Sequence, residues 1–167
     1  MSFNNRVNQK LHDEHQATLA LLDRLEKLLA RHRRGSPPQL GDPGLAALFA
    51  DLPAALEGEV QRHFAFEEDE IFSFLEAAGE AEIGAHLTDE HRVIRPVGLK
   101  LAARARIAGG QGFDAPGWDE FRGLAQDLCD RLRAHVDKEE MALLPLLEET
   151  MDAETEARLY QEYVENG

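Results

Sequence analysis

The chain has 167 residues, 43% of them apolar, with seven histidines and one cysteine, Cys129. A chain of this length buries one core, so residues 1–167 are read as a single domain, and the lone thiol excludes an internal disulfide and fits a reducing cytoplasm. The net charge of -14 lacks the basic face that nucleic acid or an anionic membrane demands, and no long apolar run or basic-then-apolar leader marks a membrane span or an export signal.

From about Asn5 to Arg34, Leu11, Thr18 or Leu19, Leu22, Leu25 and Leu29 recur at steps of three and four, the pattern of an amphipathic helix. His15 falls in that stripe. Arg31, Arg33 and Arg34 suit a helix C-terminus, and Gly35 to Pro38 stop the helix. Asp42 and Pro43 read as an N-cap followed by a first-turn proline. The second helix then carries Leu45, Phe49, Leu52, Leu56, Val60, His63, Glu67, Ile71 and Phe74 to about Ala78, with Pro53 either kinking it or forcing a restart capped by Asp51. A third helix from about Glu80 to Ala108 bears Ile83, Leu87, His91, Ile94, Leu101 and Ala105, and Pro96 predicts a bend one turn past His91. Gly109, Gly110 and Gly112 end it. Asp114 and Pro116 open the fourth helix, with Phe121, Leu124, Leu128, Leu132, His135, Glu139, Leu143 and Leu146 in its stripe; Pro145 bends or ends it. Asp152 caps a short fifth helix, about Ala153 to Glu165, whose Leu159, Tyr160 and Tyr163 are expected to pack over one end. With no strand signal, the fold class is all-α: an antiparallel up-and-down four-helix bundle plus a fifth helix.

The two halves repeat. His63 to Glu76 reads H-F-A-F-E-E-D-E-I-F-S-F-L-E, and His135 to Glu148 reads H-V-D-K-E-E-M-A-L-L-P-L-L-E without a gap. Upstream of each, L-H-D-E-H ends at His15 and L-T-D-E-H at His91. Residues four apart share a helix face, so His63 with Glu67, and His135 with Glu139, each aim an imidazole and a carboxylate at one point. His15 lies 19 residues before Arg34 and His63 lies 20 after Pro43, while His91 lies 18 before Gly109 and His135 lies 19 after Pro116. At about 1.5 Å per residue the four histidines reach one level within about a turn.

Buried carboxylates without partners cost several kcal/mol each. Four imidazoles and two carboxylates in one core layer are therefore explained best by cations among them. One ion cannot take six such groups comfortably, whereas two ions can each take two histidines and share Glu67 and Glu139 as bridges. An added oxo or hydroxo bridge leaves one position open on each ion. Imidazole with carboxylate suits iron or manganese, with zinc also compatible, and no cysteine stands near the layer to argue for structural zinc.

These residues resemble the hemerythrin-like family, the HHE cation-binding domain, over essentially the whole chain: D-E-H on helices one and three, H-x-x-x-E-E on helices two and four, and the ending L-L-P-L-L-E. The resemblance implies a four-helix bundle around a non-haem di-iron centre with His15, His63, Glu67, His91, His135 and Glu139 as its ligands. Oxygen-carrying members have a further histidine four residues before the one on the third helix, where this chain has Leu87; His86 points about 140° away from His91. The more open centre this leaves is similar to members linked to iron handling, nitric-oxide or peroxide chemistry, or sensing. The implied function is binding or reaction of a small oxidant such as dioxygen, peroxide or nitric oxide. The alternative is a non-catalytic module for iron storage, delivery or sensing. Ferritin-like bundles, the nearest other class, pair E-x-x-H at three-residue spacing and fit less well.

Other candidates are read more plainly. Glu59, one turn before His63, is an added ligand or, as the favoured reading, a rim salt-bridge partner. His12 is read as a surface group or a support to His15. Glu14, Glu68, Glu90 and Glu140 adjoin the six residues and face solvent or the ring N–H groups of neighbouring histidines. His32 is read as a surface residue, Cys129 as a small core residue, and Tyr160 and Tyr163 as packing residues.

Overall fold

The computed structural model describes residues 3–166, which form helices joined by short loops, with no strand among them. Helix α1 spans Arg6–Arg31, capped by the Asn5 side chain, which accepts from the Val7 and Asn8 amides. Helix α2 starts at Pro43–Glu57 under the predicted Asp42 cap, whose carboxylate accepts from Gly44. It continues with helical dihedrals through two wide turns, Gly58–His63 and Glu67–Ile71, to Phe72–Ala77. Helix α3 is Ala81–Gln111, and α4 begins at Ala115–Lys138 and continues through Glu139–Leu143 to Leu144–Thr150. Helix α5 is Ala153–Glu165, capped by Asp152 as its sequence predicts.

Of the two readings of Pro53, the restart is excluded. Pro53 neither ends α2 nor makes Asp51 a cap; Asp51 instead accepts from Arg24 at 3.1 Å. Buried Phe49, Leu52 and Leu56 hold the helix to its neighbours across the missing hydrogen bond. Pro96 likewise lies inside an unbroken α3. That helix runs past Gly109 and Gly110 and stops at Gly112, whose φ of 74° suits glycine.

The wide turns were not foreseen. In them the amide of Phe64 bonds the carbonyl of Glu59, Phe72 bonds Glu67, and Leu144 bonds Glu139, each five residues back. Two of the three open at the carboxylate of an H-x-x-x-E unit, so the repeat in sequence is also a repeat in backbone register. Such π turns concentrate at functional sites.

Helix α2 packs closely on α3. A Cβ on Gly84 would lie 2.9 Å from Phe72 Cβ, and one on Gly98 would lie 2.8 Å from Val60 Cγ1, so both glycines are contact points. The end of α1 meets the start of α4, where Arg122 donates to the Leu29 carbonyl at 2.7 Å and Trp118 Nε1 donates to Arg33 at 3.0 Å. Its start meets the end of α4, where Asn8 donates to the Leu144 carbonyl at 2.8 Å. The apolar core is split in two. One cluster holds Leu22, Leu25, Leu52, Trp118, Phe121 and Leu132, and the other holds Leu11, Ile71, Leu75, Leu87, Leu143 and Leu147. Between them along every long helix stands the histidine and glutamate layer. No helix of the described residues is long and apolar enough to cross a membrane.

Candidate metal centre

Each of four helices delivers its histidine to the layer. His15 comes from α1, His63 with Glu67 from α2, His91 from α3, and His135 with Glu139 from α4; all six are at most 2% exposed. Glu67 reaches His63 Nε2 at 2.7 Å with one oxygen and His91 Nε2 at 3.2 Å with the other. Glu139 lies 2.7 Å from His15 Nε2, touches His135 Nε2, and stands 3.9 Å from the Nε2 atoms of both His63 and His91. The ligand-type atoms form two groups, His15, His63, Glu67, Glu139 and Glu67, His91, His135, Glu139, each within 4.8 Å. Both carboxylates belong to both groups.

The outer ring nitrogens determine what the inner ones offer. His15 Nδ1 lies 2.6 Å from Glu140, His135 Nδ1 lies 2.8 Å from Glu90, and His91 Nδ1 lies 3.2 Å from Glu68. A neutral imidazole that donates from Nδ1 presents a bare lone pair at Nε2. The Nε2 atoms of His91 and His135 face each other at 3.0 Å, and two lone pairs cannot bond to each other. His15 Nε2, both nitrogens of His63 and all four oxygens of Glu67 and Glu139 are buried without an aligned hydrogen bond, despite the short contacts above. Inward lone pairs converging with carboxylate oxygens in a dry layer repel one another unless protons or cations stand between them. This donor set fits metal ions.

Without metal, protons take that place. Burial alone would lower the imidazole pKa values, but the carboxylates outweigh it. Contacts with Glu139 and Glu140 carry His15 up to about 10, and contacts with Glu139 and Glu67 carry His91 up to about 9. His63 and His135 also rise, against burial, beside Glu59 and Glu67 in the first case and Glu139 in the second. Glu139, although buried, is held well below the usual carboxylate range by the four imidazoles around it.

The four acids next to the six residues in sequence make the outer contacts, and across helices rather than within them. Glu140 of α4 supports His15 of α1, Glu68 of α2 supports His91 of α3, Glu90 of α3 supports His135 of α4, and Glu14 of α1 lies 3.6 Å from His63 Nδ1 of α2. This pattern repeats between the halves, as the sequence does.

Glu59 departs from the rim reading. It is 7% exposed, accepts from Thr18 at 3.1 Å, and stands 3.9 Å from His63 Nδ1, outside both four-residue groups. Burial raises its pKa, outweighing the opposite pull of His63 and His15. His12 lies 2.9 Å from Glu140 and so supports a support. His86 is exposed and contacts Glu90 rather than the layer. His32, read as a surface residue, is half-buried with its ring edge-on to Trp118. Cys129 is a buried core thiol, pushed up to about 12 by burial.

Two aromatic roles escaped the sequence. Phe64 stacks flat on His91, with centroids 3.8 Å apart, fixing that ring from the side. Tyr163 packs on Phe66 at 4.1 Å, as a packing residue should, but its hydroxyl also donates to Glu14. The neighbour of a helix-face histidine on another helix has no fixed sequence offset, so neither contact could be read from spacing.

No curated protein matches the chain. The family model described as the hemerythrin HHE cation binding domain matches residues 6–147, a span that holds the whole histidine and glutamate layer and excludes α5. The chain therefore belongs to the hemerythrin HHE cation binding domain family.

Proposed function

We propose that the protein binds two iron ions and that the pair binds or reacts with a small oxidant: dioxygen, peroxide or nitric oxide. His15 and His63 would hold one ion and His91 and His135 the other, with Glu67 and Glu139 shared between them. The observation that carries this reading is the sharing of both carboxylates by two overlapping four-residue groups. Bound there, iron would supply binding positions and electrons to a small oxidant.

The chain's own residues do the rest. The outer carboxylates fix the tautomers of His15, His91 and His135 so that Nε2 faces inward. The two apolar clusters above and below keep bulk water out of the layer. The end-to-end pairing of α1 with α4 supports an antiparallel up-and-down four-helix bundle, and we take residues 1–167 as one domain. An acidic chain with one buried thiol suits a cytoplasmic protein whose ligand is a small molecule rather than nucleic acid or a membrane.

A second reading, iron storage, delivery or sensing without turnover, is favoured by the near-complete burial of all six side chains. Rapid mixing of the reduced, iron-loaded protein with each oxidant separates the two. Repeated oxidant consumption supports the first reading; a single oxidation event, followed only by a change in shape or stability, supports the second.

A further inference from the structure

The four outer carboxylates share one design. Each turns one side towards a layer histidine and is held on the other by a second partner. For Glu140 that partner is His12 at 2.9 Å, for Glu68 it is Arg95 at 2.9 Å, and for Glu90 it is Lys138. All three come from the long helices. For Glu14 the hydrogen-bonding partner is Tyr163 of α5, whose hydroxyl lies 2.7 Å from Oε2 and also contacts Oε1, while Arg62 of α2 stands farther off at 4.0 Å.

His63 is also the least firmly held of the four rings. Its Nδ1 has Glu14 as its nearest carboxylate, at 3.6 Å, a longer approach than those of the other three rings, and neither of its nitrogens has an aligned partner. Beside it lies a cavity of about 220 Å³, lined in part by Glu14, Thr18, Glu59, Arg62 and His63. The hydrogen bond that orients the Glu14 carboxylate beside His63 therefore comes from α5. The docking of α5 is substantial: Leu159 is fully buried, Arg62 stands over the Tyr163 ring at 4.3 Å and donates to its carbonyl at 3.0 Å, and Arg6 pairs with Glu156 at 2.8 Å.

We propose that α5, which lies beyond the family-matched segment, is a working part of the centre: Tyr163 is a positioning residue that acts through Glu14 to orient His63, so that docking of α5 and retention of the ion on His15 and His63 are coupled. The inference rests on the two-ion reading above. By linkage the coupling is reciprocal, so loss of that ion loosens α5, and a partner that pulls α5 away releases that ion first. The ion on His91 and His135 has no such dependence, because Glu68 and Glu90 are held by Arg95 and Lys138.

Tyr163→Phe is the test, because it removes only the hydroxyl and keeps the ring on Phe66 and beneath Arg62. Wild type, Tyr163→Phe and Tyr160→Phe, all full-length and iron-loaded, are mixed anaerobically with a colorimetric ferrous chelator, and hydrogen exchange of residues 153–165 is followed with and without metal. Wild type starting with two irons per chain establishes the underlying reading; wild type without iron overturns it, and this inference with it. Given two irons, Tyr163→Phe is expected to release one of them about tenfold faster and the other at the wild-type rate. The metal-dependent protection of α5 seen in wild type should be lost. Tyr160→Phe should behave as wild type. Release of both irons at wild-type rates by Tyr163→Phe, or equal acceleration of both, overturns the proposal while leaving the two-ion centre standing.

Discussion

Loading the metal-free protein with ferrous iron should expel protons from the layer, and the count follows from its electrostatics. His15 and His91, with pKa values of about 10 and about 9, are protonated at pH 7, and His63 and His135 are shifted in the same direction. Metal takes the Nε2 lone pair that the proton holds, so at least the protons of His15 and His91, about two, should leave per pair of ions. The signs of the two pH dependences are opposite. A histidine pKa raised above its unfolded value near 6.5 stabilises the metal-free fold fully below that value. That contribution is lost as pH rises through about 9 for His91 and about 10 for His15. Iron affinity, in contrast, should climb over the same range. Each displaced proton contributes about 1.4 kcal/mol per pH unit, so the pair should gain at least about 3 kcal/mol per unit near neutrality. Anaerobic iron titration at pH 7 by calorimetry, in two buffers of different ionisation enthalpy, counts the protons. Release of none or one would refute the protonated-layer account and point to imidazoles already neutral in the metal-free state.

Three further outcomes are expected. Replacing Glu67 or Glu139 by alanine should abolish retention of both ions, since each carboxylate belongs to both groups, whereas His86→Ala should leave metal content unchanged by elemental analysis. Gly84→Ala should drive a methyl into Phe72 and cost about 1–3 kcal/mol, a fall of roughly 3–10 °C in melting temperature, while Gly123→Ala, with open space around it, should be neutral or stabilising. Leu87→His should add an imidazole one turn before His91 on the same face and slow chelator removal of one ion. Since Leu87 is 1% exposed in an apolar cluster, a lower melting temperature with unchanged release would show that residue 87 does not face the centre.

The layer was legible because its code is local and doubled. An H-x-x-x-E unit fixes two side chains on one face by helix geometry alone, and the second copy places His135 and Glu139 where the first places His63 and Glu67. Half of the outer support was legible too, since Glu14, Glu68, Glu90 and Glu140 adjoin those residues, though which helix each would cross to was not. What escaped depends on balances that sequence spacing does not record. Pro53 lies within a continuing helix, where the sequence left a kink and a restart open, because tertiary packing outweighs one lost backbone bond. The π turns at Glu67 and Glu139 reflect a choice between carbonyls four and five residues back, which no side chain announces. Tyr163 meets Glu14 across 149 residues of chain, a contact that exists only once α5 has docked.

The central claim is most directly tested by the metal content and absorption spectrum of protein made in iron-rich medium and purified in air. The account predicts about two irons per chain with the near-ultraviolet bands of an oxo-bridged diferric pair. Protein that carries one metal or none would contradict it.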